Sequence, residues 1–318
     1  MGKAIRADKR GSSRFKDKLI EYKKDLSKNR IVYIMLIPVI AYFILFKYIP
    51  LGGIQIAFKN FSPFKGMLNS PWVGLEHFTN FFSSYYCWRL LKNTLLINIS
   101  DIIFGFPAPI ILALLLNEIR NNYFKRTIQT ITYMPHFIST VVICGMILDF
   151  LSRDGVVNNL LNMVGIDSIS FMSLPEWFRP VYVSTNIWQQ VGWSSIIYLA
   201  ALSGIDPQLY EAATIDGANR FKQLLNVTIP GIMPTIIIML ILRTGSIMTV
   251  GFEKIMLLYN PSTYETADVI STFVYRKGIL EMSYSYSTAV DFFNSIINFI
   301  LLVSVNKLSR KVSETSLW

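Results

Sequence analysis

The sequence predicts an all-α integral membrane protein with six transmembrane helices and both termini in the cytoplasm. Composition is the first observation behind this. Of 318 residues, 52% are hydrophobic and only 16% charged, with a mean hydropathy of +0.42, whereas about a quarter of a soluble domain is charged. The second is that the apolar residues gather into blocks long enough for a bilayer core, which takes about 20 helical residues at 1.5 Å each. The third is the distribution of charge. With the N-terminus inside, the four inner segments (1–30, 117–126, 204–228 and 306–318) hold 19 Lys plus Arg, and the longer outer segments (51–93, 151–181 and 251–283) hold 9. That asymmetry is the positive-inside pattern.

The elements follow in order. Residues 1–30 carry 11 Lys plus Arg and read as a basic cytoplasmic tail, too long for the n-region of a signal peptide and followed by no small-x-small cleavage site. The six-helix domain then runs over 31–305. Its first span is Ile31–Pro50, continuing toward Phe58 along the interface. The other five are Thr94–Leu116, Thr127–Phe150, Tyr182–Ser203, Ile229–Val250 and Tyr284–Val305. Pro107, Pro109, Pro135 and Pro234 fall inside them, which membrane helices tolerate and which leaves kinks undecided. Residues 306–318 form a cytoplasmic tail. The net charge of +10 is accounted for by topology and anionic lipid, so nucleic acid is not needed as a partner. Cys87, Cys144, His77 and His136 are too few for a disulfide framework or a Cys/His zinc cluster, and no metal site is expected.

The inner loop 204–228 has the clearest local punctuation. Asp206 can cap a helix with Pro207 at its first position, where a missing N–H costs nothing. Asp216-Gly217 supplies a turn, since Gly accepts positive φ. A second short helix then shows Phe221, Leu224 and Leu225 on one face, as Leu209 and Ala213 are on the first. Helices of about two turns are marginal alone, so a packing surface is implied. From these residues alone, a hairpin that seals the end of the bundle fits as well as a docking joint.

The run Glu211-Ala212-Ala213, three residues, Gly217, nine residues, Val227-Thr-Ile229-Pro230 resembles the EAA loop of binding-protein-dependent ABC importer permeases. It departs from that pattern only in Val227 and Ile229, which stand for Ile and Leu. Further stretches resemble the polysaccharide and oligosaccharide branch, which includes the lipoprotein-type sugar permeases: Phe46-Lys-Tyr-Ile-Pro50, Ser70-Pro-Trp-Val-Gly-Leu75, Val250-Gly-Phe-Glu-Lys254, Leu258-Tyr-Asn-Pro261, Tyr264-Glu-Thr-Ala-Asp-Val-Ile270 and Leu317-Trp318. The resemblance implies a type I importer permease fold in the bacterial cytoplasmic membrane. It implies that Glu211, Ala212, Ala213, Asp216, Gly217, Phe221, Leu224 and Pro230 form the joint with a separate ATP-binding subunit dimer. A second homologous permease, an extracytoplasmic solute-binding protein and a carbohydrate cargo complete the implied assembly. The chain carries no G-x-x-x-x-G-K-[ST] phosphate loop, so ATP and Mg would be held by the partner ATPase, with no cofactor and no catalytic residue here.

Ionisable residues at membrane depth cost several kcal/mol in lipid, so they turn inward. Asp101, Arg243 and Asp291 are the three, read either as an internal ion pair that fixes packing or as contacts to solute. Asn186, Gln189, Gln190 and Trp193 share a face of span four, and Asp291, Asn294 and Asn298 a face of span six with Ser287 and Ser295. Amides and an indole suit a polyhydroxylated solute, and equally suit polar glue between helices. A proton-coupled carrier using Asp101 or Asp291, and an ABC permease for a non-sugar solute, are the rival functions. A membrane-embedded enzyme would need clustered catalytic residues, and none are evident.

Overall fold

A computed structural model describes Asp25, residues 28–249 and residues 251–312. The rest of the basic N-terminal stretch, Val250 and residues 313–318, including Leu317-Trp318, lie outside the described residues. Among the described residues the chain is helical and contains no strand, only an isolated bridge between Lys59 and Trp72. The principal helices are α1 (Arg30–Phe58), α2 (Tyr85–Glu118), α3 (Asn122–Phe137), α4 (Thr140–Phe150), α5 (Pro175–Ser203), α6 (Pro207–Ile215), α7 (Arg220–Thr244), α8 (Phe252–Leu258), α9 (Ile270–Tyr275) and α10 (Tyr284–Val312).

Four of these, α1, α2, α7 and α10, are long and apolar enough to cross a bilayer, and a fifth crossing results if α3 and α4 count together. The sixth expected span lies in α5, which is 29 residues long but richer in polar groups. Two expected spans need correcting. Thr127–Phe150 is not one straight helix, because α3 and α4 meet at a bend of 100°. Pro135 sits in the last, tightened turn of α3, and Ser139 caps α4 by accepting from the Val142 N–H. Ile229–Val250 is cut short: α7 ends at Thr244 and Gly245–Met248 form a turn. Asn298 on α10 holds that turn, accepting from the Met248 N–H at 2.9 Å and donating to Thr249 Oγ1 at 3.2 Å.

Proline leaves a repeated mark. One turn of α1 (Ile44–Tyr48), of α2 (Asp101–Gly105) and of α7 (Leu224–Thr228) widens to i→i+5 hydrogen bonding. Each is followed two residues later by a proline: Pro50, Pro107 and Pro230. A proline ring presses on the carbonyl four residues back. Those carbonyls belong to Phe46, Ile103 and Asn226, all inside the widened turns. The extra residue per turn gives the ring room and lets the helix continue.

Two of the three buried core clusters among the described residues gather around α5. Ile97, Ile143, Cys144, Phe178, Val181 and Ile255 form one cluster, and Ala113, Tyr198, Leu202 and Ile232 another. The α3–α5 crossing depends on Gly192, because a Cβ there would lie 2.0 Å from the Thr132 carbonyl oxygen. By contrast α1 buries none of its first 14 residues against the rest of the chain. Gly192→Leu is therefore expected to destabilise the protein by about 1–3 kcal/mol or more, the usual cost of overpacking. Gly145→Ala, with nothing within 4 Å of the added methyl, should be neutral or slightly stabilising. Thermal unfolding of the detergent-purified protein checks both.

Candidate functional site: a central polar cavity and an inner loop

A cavity of about 340 Å³ lies among α2, α5 and α7. Asp101 is part of its wall, 3% exposed. An isolated carboxylate in such a place would be very costly, and both of its oxygens are engaged. Asn186 on α5 donates to Oδ1 at 2.7 Å, and the Arg243 guanidinium on α7 pairs with Oδ2. The widened turn of α2 makes space for this. A Cβ at Gly105 would lie 2.9 Å from Asp101 Oδ1, so a larger residue there would push the carboxylate from this position. Asn98, Gln190 and Ser194 add hydrogen-bonding groups to the wall, and Tyr182 and Tyr198 add ring faces. The wall thus offers amides and hydroxyls at mid-bundle depth, one ion pair, and apolar surface between them.

The expected path residues separate into groups. Asp101, Asn186, Gln190 and Arg243 come together around the cavity. Gln189 turns the other way and accepts from Lys254 Nζ on α8 at 3.3 Å. Trp193 lies beside the cavity wall, stacked on His136 at 4.5 Å between centroids, while His136 Nδ1 meets Gln190 Oε1 at 3.0 Å. On α10, Asn298 closes the end of α7, Asn294 is buried, and Asp291 is exposed outside the cavity.

Two features were missed in the sequence. Lys254, 5% exposed, lies in a stretch counted as outer loop but packs under Tyr182, 5.8 Å from its ring centroid. The second is a node, in a stretch counted as outer loop, built on Asp268, which is fully buried. Asp268 Oδ2 accepts from Arg89 at 3.1 Å and Arg276 at 2.7 Å, and Oδ1 from Thr272 at 2.9 Å. Asn93 donates to the carbonyls of Glu265 and Asp268 and accepts from Arg179 at 2.8 Å. Burial works against charge on Arg276, but Asp268 outweighs it and holds the guanidinium above its ordinary value. The node ties α2 and α5 to the segment that holds α9.

At the other end of α5, the inner loop folds as its punctuation suggested, with one correction. Asp206 accepts from the Gln208 N–H at 2.9 Å, with Pro207 opening α6. Gly217 has φ of 74°, and the Ala218 N–H reaches the Ala213 carbonyl while the Gly217 N–H reaches that of Thr214, a Schellman ending. Asn219 then caps the next helix by accepting from Lys222 N–H. That helix is not a separate two-turn element; it is the start of α7. Gln223 to Thr214 (3.0 Å) and Tyr210 to Thr228 (3.0 Å) hold the two limbs together. Glu211, Ala212, Asp216, Phe221 and Pro230 are exposed, while Ala213 and Leu224 are half-buried. Ile215 and Phe221, at 86% and 66% exposure, present apolar surface that this chain does not cover.

Residues 105–314 match the family described as binding-protein-dependent transport system inner membrane component. The chain is 43% identical over 300 residues to protein LplB of Bacillus subtilis (strain 168), covering 94% of each. It is also 43% identical to the polygalacturonan/rhamnogalacturonan transport system permease protein YteP of the same organism, covering 92% of each. Among solved structures it is similar, with TM-score 0.87 and 44% identity over 92% of this chain and 99% of the other, to a chain of a bacterial ABC transporter involved in the import of the acidic polysaccharide alginate. A second similar chain comes from a bacterial alginate ABC transporter in complex with an alginate pentasaccharide-bound periplasmic protein, with TM-score 0.86.

Removing the centre of the Asp268 node should be expensive. Asp268→Ala leaves two guanidiniums without their counter-ion, a loss of about 3–5 kcal/mol for a buried pair. Glu281→Ala, which breaks only the exposed pair with Lys277, should cost less than about 1 kcal/mol. Comparing the two melting midpoints in detergent tests this.

Proposed function

From a chain that belongs to the binding-protein-dependent transport system inner membrane components, we infer a permease subunit of an ATP-driven importer whose cargo is carbohydrate, derived from oligo- or polysaccharide. The observation that carries the cargo is the cavity wall. Amides, hydroxyls and tyrosine faces surround about 340 Å³, which suits a solute with hydroxyls in one plane and C–H faces above and below. The cargo named for the YteP relative and for the alginate transporters points the same way.

In this reading α5 completes a set of six crossings, with both termini and the inner loop on the cytoplasmic side, in the bacterial cytoplasmic membrane. The chain supplies half of the path and a second, homologous permease the other half. A solute-binding protein delivers cargo from outside. Two ATPase subunits, which hold the ATP and Mg, grip the loop at Glu211, Ala212, Ala213, Asp216, Gly217, Phe221, Leu224 and Pro230. Closure of the ATPase dimer pushes the loop and tilts α5 and α7, alternating access to the cavity. Asp101, Asn186, Gln190 and Arg243 meet the cargo, and Gln189, Trp193, Asn294 and Asn298 set the helices that present them. Asp291 faces outward toward the partner permease or lipid. This chain catalyses no covalent step. The engagement of both Asp101 oxygens counts against its use as a proton relay.

Purifying the tagged chain from its native membrane should bring a nucleotide-binding subunit and a second permease with it; recovery of the chain alone would overturn the assembly. Gly217→Pro removes both the positive φ and the N–H that close α6. ATP-dependent uptake should fall at least about tenfold, the equivalent of ~1.4 kcal/mol, while the chain still inserts. Unchanged uptake would remove the loop from the coupling path.

A further inference from the structure

We propose that Arg243 recognises carboxylate groups on the cargo, so that this permease passes acidic, uronate-containing oligosaccharides in preference to neutral ones. The proposal rests on the carbohydrate reading above and narrows it.

Asp101 is held by Asn186 and buried at 3% exposure, whereas the Arg243 side chain is 45% exposed at the cavity wall. The ion pair uses one guanidinium nitrogen, and no other acceptor is recorded for the group among the described residues. A guanidinium carries five N–H donors in a planar fork. Its unused edge is matched to a carboxylate, which it can grip with two parallel hydrogen bonds.

Charge beyond the pair is the independent observation. Lys254, behind Tyr182, has no carboxylate within ion-pairing distance among the described residues. Outward along α2 and α5, Arg89 and Arg276 share a single buried acid, Asp268, and Arg179 donates to the neutral Asn93 side chain beside it. Asn93 lies eight residues before Asp101 and Arg179 seven before Asn186, so the node sits about 10–12 Å from the Asp101–Asn186 contact along the helices. Five cations thus face two buried acids, Asp101 and Asp268. One buried nitrogen on each of Arg89, Arg179 and Arg276 has no hydrogen-bond partner. Surplus positive charge held at low dielectric is costly to keep and attracts anions strongly. An anionic cargo passing through supplies the balance at the moment of transit. Asn98, Gln190 and Ser194 then serve its hydroxyls. A neutral sugar gains only those contacts.

The test uses the whole transporter in proteoliposomes, with its solute-binding protein present at the same saturating concentration in every arm. The probes are oligogalacturonides and the same oligomers after chemical reduction of their carboxyl groups to alcohols. The readout is the ratio of the two uptake rates. Wild type should favour the uronates by about tenfold or more, one charge-assisted contact's worth. Arg243→Gln with Asp101→Asn, which removes the pair without leaving a lone charge, should bring the ratio toward one. Asp101→Asn alone frees the guanidinium and should keep or raise the ratio, which a purely structural ion pair would not do. A wild-type ratio near one, an unchanged ratio in the double variant, or a ratio lost in Asp101→Asn overturns the proposal. Should the double variant carry neither probe, the Asp101→Asn arm decides. Wild type that carries neither probe and no member of a wider panel of neutral and acidic oligosaccharides defeats the carbohydrate reading itself, which separates the two failures.

Discussion

One buried carboxylate sets the terms for the middle of this molecule. Asp101 cannot stay ionised at that depth without donors on both oxygens, and the donors come from two other helices, Asn186 on α5 and Arg243 on α7. Satisfying it therefore fixes the rotation of three helices at once. Hydrophobic packing alone is tolerant of such rotations, since one apolar face fits lipid or another helix about equally well. The ion pair supplies the missing specificity, and the polar cavity forms around it as a result.

The same arrangement connects the two ends of the proposed machine. Arg243 is on the final turn of α7, and the inner loop runs into the first turn of that helix at Arg220. The two are about 35 Å apart along one helix, with no loop between them. Whatever displaces the loop moves the cation at the cavity, and what binds the cation resists the loop. Coupling of that kind is reciprocal by thermodynamic necessity. At the other end of α5 the Asp268 node anchors α2 and α5 to each other.

Much of this was legible in the residues. Apolar blocks gave the helices, and Asp206-Pro207 and Asp216-Gly217 gave the ends of α6, because those residues act locally and need no tertiary context. An internal ion pair among Asp101, Arg243 and Asp291 was one of two readings open from the cost of charge in lipid, and the structure brings Asp101 and Arg243 together at the wall of a cavity, where the pair and a contact to solute are compatible. The bend between α3 and α4 was hidden. Pro135 has the same local chemistry as Pro234, yet only the first stands at a break, so the proline by itself does not announce the bend. The face drawn through Asn186, Gln189, Gln190 and Trp193 was too broad: adjacent residues point 100° apart, and Gln189 belongs to Lys254 rather than to the cavity. Lys254 itself escaped notice because a short helix between two spans reads like a solvated loop.

The widened turn at Asp101–Gly105 has a further meaning, which concerns phase. It adds a residue to the helix without adding to the fold, so everything beyond it is rotated by about 100° from where an unbroken helix would put it. Asp101 and the Ala113 face of α2 are in step with the same neighbour, α5, because of that single surplus residue. Insertions and deletions are usually thought of as events for loops. Here the interior of a membrane helix holds a residue that acts as a spacer, and changing its number would turn half of the rod like a screw and leave the carboxylate facing oil.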